Sequence, residues 1–168
     1  MAATDHPEPD PVREGQESVW DYPRPAIAER SNRHIVIRHK GITLADTRQA
    51  WRTLETSHPP TYYLPPDDVA VEYLSANRHR SLCEWKGQAR YWDVVMGDDR
   101  IEAACWSYIE PTADFAPIAG YFAFYPEPFD HCLVDGEQVM PQPGGFYGGW
   151  ITSREAGPFK GIPGSRFW

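Results

Sequence analysis

From Ser31 onward, apolar and polar side chains trade places every second residue in short runs, each cut off by Gly, Pro or Asp. Runs of this period predict half-buried strands, because successive side chains of a strand face opposite ways. "HIVIRHKGITLADT" predicts two strands around Gly41, with Ile35 and Ile37 on one face and Val36 on the other. "RYWDVVMGDDRIEAACWSY" predicts a hairpin turning at "GDD". "YFAFYP" predicts a further strand, preceded by a single turn in "DFAPIAG". "HCLVDGEQVM" predicts a second hairpin, whose Asp135–Gly136 pair suits the positive φ of a two-residue turn. "TRQAWRTLET" fits a helical turn or a strand equally, since Ala50, Trp51 and Leu54 satisfy both spacings. The prolines of "HPPTYYLPPDDV" exclude a long helix. They predict an extended stretch from Thr61 to Leu64, then a brief helical turn capped by Asp67 or Asp68. Together these elements predict an all-β domain of about eight short strands.

The pattern also divides the chain. Residues 1–18 are acidic, rich in proline and nearly free of large apolar groups, which predicts a disordered tail. Residues 19–140 carry the strand signals. Residues 141–168 combine Gly and Pro with aromatics, so Phe146, Tyr147 and Trp150 are expected to pack on the domain or on a partner subunit. A chain of 168 residues is long enough for one core without staples.

Composition sharpens the reading where it departs from the ordinary. Aromatic residues make up 14%, including seven Trp, more than a small core needs. A net charge of −8 argues against nucleic acid or an anionic membrane surface as partner. No window is apolar enough for a membrane span, and the first residues lack the features of a secretory signal. Three widely spaced cysteines, an odd number, fit reduced thiols and a cytoplasmic location.

Three kinds of residue carry candidate chemistry. Cys83 stands at a strand mouth beside Trp85 and Lys86, and a nearby cation favours the thiolate. Glu137, directly after the Asp-Gly turn, is a candidate proton carrier. The aromatics form the broadest set: Trp85, Tyr91, Trp106 and Tyr108 fall on neighbouring hairpin strands, with Tyr63 on another segment. Adjacent Tyr91 and Trp92 must face opposite ways, so one aromatic face is left over once the other is core. That face is expected to wall a ligand pocket, meet a second copy, or receive the aromatic C-terminal segment. Cys105 and Cys132, in strand-like runs, are expected to be buried small hydrophobes. No C-x-x-C pair occurs, and neither a metal nor a cofactor is expected. Phosphate-loop, dinucleotide, nucleophile-elbow and zincin motifs are missing as well.

The strings "HPPTYYLPPDDV", "CEWKGQARYW", "AACWSYIEP", "GYFAFYP" and "VDGEQVMPQPGGFYGGW", in that order, resemble the domain-of-unknown-function family 427. The resemblance spans roughly residues 28–152. It implies a β-tent-like fold, in which two antiparallel sheets are pinned at one end and open at the other. Other β-tent proteins include methionine sulfoxide reductases and the thalidomide-binding domain of cereblon, which hold zinc through paired cysteines. Without such pairs, no zinc site is carried over to this chain. The nucleotidyltransferase label sometimes given to the family is not carried over either, because no Gly-Ser motif with spaced aspartates is present. The family's strings put Tyr63, Cys83, Trp85, Lys86, Gly87, Tyr91, Trp106 and Glu137 at motif positions. The expectation is a small-molecule pocket between two sheets, binding its ligand or using acid–base or thiol chemistry, with Glu137 moving the proton and Lys86 stabilising negative charge. The alternative is an interaction module, a homodimer or partner-binding surface built on the aromatic face.

Overall fold

A computed structural model describes residues 6–168. Its regular elements are strands apart from four short 3-10 turns. One four-stranded antiparallel sheet runs, in spatial order, Phe122–Phe124, Asp99–Ser107, Gly87–Met96 and Leu74–Cys83. A second has the order Glu137–Gln138, His131–Val134, Ile35–His39 and Ile42–Thr47. A third, of three strands, pairs Ile27–Arg30 with Trp51–Leu54 and that strand with Thr61–Tyr63. No sheet closes on itself. A single bridge from Leu64 to Phe122 joins the end of the third sheet to the first, and another from Ala45 to Val69 ties the second sheet to the segment after Pro66–Asp68.

The predicted hairpins are present where the alternation placed them. Met96 pairs with Asp99 across the Gly97–Asp98 turn, and Val134 pairs with Glu137 across Asp135–Gly136. The φ values there are +49° and +83°, the left-handed pair that a tight hairpin demands. The ambiguous "TRQAWRTLET" contains the strand Trp51–Leu54, fixed by ladders on both sides rather than by its own spacing. After Thr61–Tyr63 the expected turn is the 3-10 helix Pro66–Asp68. Asp67 and Asp68 lie inside it instead of capping it, and the Asp68 carboxylate accepts from the Thr47 hydroxyl at 2.6 Å.

Strand alternation sends neighbouring residues into two separate apolar clusters. Tyr62, Trp92 and Cys105 join Ile35, Ile37, Phe124, Cys132 and Trp150 in the larger core. Tyr63, Tyr91 and Trp106, each one residue away along the chain, join Tyr108, Phe115 and Ile118 in the second. This answers the surplus of aromatics: both faces of these strands are used.

The two terminal segments meet. Residues 1–5 of the expected tail lie outside the described residues. Its later part does not hang free: the Asp10 N–H donates to Gly157 O at 2.8 Å, and Glu17–Ser18 pairs in parallel with Glu155–Ala156. Those backbone bonds, and the ion pairs of Glu17, supply the contacts that apolar side chains do not. In the C-terminal segment Trp150 is only 1% exposed and its indole N–H donates to Phe124 O at 2.9 Å, whereas Phe146 is 75% exposed.

Candidate functional site

Cys83 ends one long strand and Gly87 begins the next, so Glu84, Trp85 and Lys86 form the turn between them. The Thr112 N–H donates to Lys86 O at 3.0 Å and the Thr112 hydroxyl to Trp85 O, which fix that turn against the following loop. It overhangs a cavity of about 320 Å³, at the small end of the roughly 300–1,000 Å³ usual for ligand sites. Tyr91 and Trp106 from the first sheet, Trp85 from the turn, Tyr108 just past the end of Asp99–Ser107 and Tyr63 from the third sheet form its walls. Cys83 and Lys86 also line it.

The wall is knit by polar contacts. The Trp106 indole N–H donates to the Tyr63 hydroxyl at 3.3 Å. The Tyr91 and Ser81 hydroxyls lie 2.8 Å apart, and His79 stacks on Tyr91 with ring centroids 4.5 Å apart. Tyr125 packs on Trp106 with centroids 4.6 Å apart. Burial pushes the phenols of Tyr63 and Tyr108 above their ordinary range and Tyr125 up to about 12, so all three remain protonated donors at neutral pH.

Lys86 is the charged group at the centre. Its ammonium lies 3.9 Å from Cys83 Sγ and 5.7 Å from the centre of the Phe115 ring. Burial opposes the charge, but Tyr63 and Cys83 outweigh it and hold the ammonium above its usual range. A lysine acting as a nucleophile needs the opposite shift, so Lys86 acts as a fixed positive charge. Cys83 is half-buried, whereas burial raises the Cys105 thiol well above normal and Cys132 to about 12. Those two are inert packing, as their strand positions predicted.

Glu137 does not join this group. Its carboxylate accepts from the Ser153 N–H and hydroxyl, both at 2.6 Å, at the edge of the second sheet. It does not line the cavity, and its expected role as proton carrier there is corrected. The position after an Asp-Gly turn served the docking of the 152–155 loop instead.

The floor holds residues that the sequence did not single out. His58 is buried at 15% side-chain exposure between Gln142 and Glu55. Burial first, then the charges of Lys160 and Lys86, lower its pKa to about 3. From the C-terminal segment come Gln142, Phe146, Tyr147, Gly148 and Lys160. Gly148 lies so close to Trp106 that a Cβ would come within 2.1 Å of an indole carbon. Only the stretch "PQPGGFYGGW" hinted at this, since its aromatics were expected to fold back. No local pattern pointed to His58. Among the described residues, no three His, Cys, Asp or Glu side chains come together as a metal site would require, and no helix is long and apolar enough to cross a membrane.

Mostly β, with open antiparallel sheets and an aromatic-walled hollow, the molecule falls in a defined class. The chain belongs to the family described as Domain of unknown function (DUF427), whose model matches residues 27–135. No curated protein matches it. The matched range contains the aromatic wall, Cys83, Lys86 and His58. It stops short of Glu137 and of the C-terminal residues that complete the floor.

Proposed function

We propose that this chain binds a small organic molecule in the cavity beneath the Glu84–Lys86 turn and presents Cys83 to it as the reactive group. One observation carries the reading: all the residues selected for chemistry or binding from the sequence, except Glu137, converge on that single hollow. Aromatic walls supply apolar contact for a flat ligand, and Lys86, Tyr63 and His58 supply the few polar groups that orient it. A half-buried thiol beside an ammonium suits nucleophilic or redox chemistry better than acid–base chemistry, since no carboxylate contacts Cys83. The fold that frames the hollow is read as β-tent-like, with open antiparallel sheets, the first and third joined by the Leu64–Phe122 bridge.

The test is a fragment screen followed by ¹H–¹⁵N NMR. Binders are expected to move the indole N–H signals of Trp85 and Trp106 together, and prior alkylation of Cys83 by iodoacetamide should abolish those shifts. Binders that move only signals of the second sheet, or that ignore alkylation, would sink the proposal.

A further inference from the structure

We infer that the ligand of this cavity is a small planar organic acid, bound as its carboxylate between the Lys86 ammonium and the Tyr63 hydroxyl. This rests on the cavity being a ligand site, and it names the chemical class that the site selects.

The charges in the hollow lead there. Glu55 is already engaged, with Arg24 at 3.8 Å and His58 at 3.5 Å. Glu84 is exposed and solvated. Lys160 spends its ammonium on Trp168 O at 3.3 Å. Lys86 differs: its one hydrogen-bond partner among the described residues is the Cys83 sulfur, and Glu55 reaches it only through space. Lys86 thus stays charged with no carboxylate in ion-pair contact among the described residues, and an anion in the hollow can take that place.

A second donor lines the same cavity. Tyr63 is 1% exposed, and its hydroxyl accepts the Trp106 indole N–H. With that bond made, the phenolic proton has no acceptor among the described residues, and Tyr63 lines the same cavity as Lys86. An ammonium and a phenol together match the two oxygens of one carboxylate. A phosphate dianion would want more donors than these two. The cavity volume and the flanking Trp85, Trp106 and Tyr108 rings favour a conjugated or aromatic body behind the acid group.

The matched probes are 2-naphthoate and its neutral isostere 2-naphthamide, read by their protection of Cys83 against iodoacetamide in the intact protein. 2-Naphthoate is expected to half-protect Cys83 at a concentration about tenfold lower than 2-naphthamide, the effect of one charge-assisted contact. Lys86→Met should erase that gap and Lys86→Arg preserve most of it. Tyr63→Phe should narrow it, with each variant's melting curve confirming that it folds. Equal protection by the two probes in the wild type would refute the acid class while leaving the cavity a ligand site. Free labelling of Cys83 that neither probe slows would overturn the ligand site and the acid class together.

Discussion

At the scale of a residue, His58 shows how neighbours fix a protonation state. The Gln142 side chain accepts the Gly149 N–H at 3.1 Å and donates to Lys160 O at 2.9 Å, which sets the orientation of its amide. Its nitrogen must then donate to His58 Nδ1 at 3.0 Å, so the imidazole proton sits on Nε2, toward Glu55. A second proton would find no acceptor at Nδ1. Between the ordinary value of 6.5 and the lowered value of about 3, the unfolded chain binds a proton that the folded chain refuses. Stability contributed by neutral His58 is therefore complete above pH 6.5 and is lost as pH falls through that window. The slope is up to about 1.4 kcal/mol per pH unit. His58→Asn keeps an acceptor near Nδ1 and removes the titration. Urea unfolding between pH 7 and 5, where few carboxylates respond, should show a flatter dependence in this variant, and an unchanged slope would refute the assignment.

At the scale of elements, what the alternation could reveal was which residues share a face. It separated Trp92 from Tyr91, which fall in different apolar clusters, and the same alternation divides Tyr62 from Tyr63. It could not reveal the Leu74–Cys83 strand, because "LSANRHRSLC" lies at a sheet edge with both faces largely solvated and carries little apolar signal. Nor could it bring in His58 or Gln142, which reach the hollow through loops whose partners lie 84 positions apart. Glu137 was misplaced for a related reason, since a turn fixes register but not what docks beside it. The C-terminal segment matters most where it passes over the wall. At Gly148 any side chain collides with Trp106, whereas at Gly145, with φ +70°, a Cβ would meet nothing within 4 Å. Gly148→Ala should thus cost about 1–3 kcal/mol by overpacking and displace the Trp106 indole signal. Gly145→Ala should cost about 1 kcal/mol from backbone strain alone and leave that signal in place. Equal indole shifts in the two variants would mean that the segment does not seat on Trp106.

For the whole molecule, the question is what holds segments of so little apolar content onto the sheets. A charged network does so. Arg52 pairs with Glu17 and donates to Glu29 at 2.7 Å, while Arg33 joins the Tyr62 hydroxyl at 2.7 Å to Glu155 at 3.4 Å. The N-terminal segment, the three-stranded sheet and the C-terminal segment are linked through these groups. Its members are not equal. The Glu155 side chain is 0% exposed and accepts the Thr152 N–H and hydroxyl, each at 2.9 Å, so nothing from solvent can replace it. Glu17 is 37% exposed, and water can take over much of its role. Glu155→Ala leaves the buried Thr152 donors without their acceptor and takes from Arg33 its buried carboxylate, and should cost about 3–5 kcal/mol. Glu17→Ala, though it touches two arginines, should cost no more than about 1 kcal/mol. Urea unfolding measures both losses, and hydrogen exchange at Ser18 and Ala156 reports whether the strand pair opens. If removing Glu17 costs as much as removing Glu155, burial is not what ranks these charges, and the terminal segments are held by Coulomb attraction summed over the network.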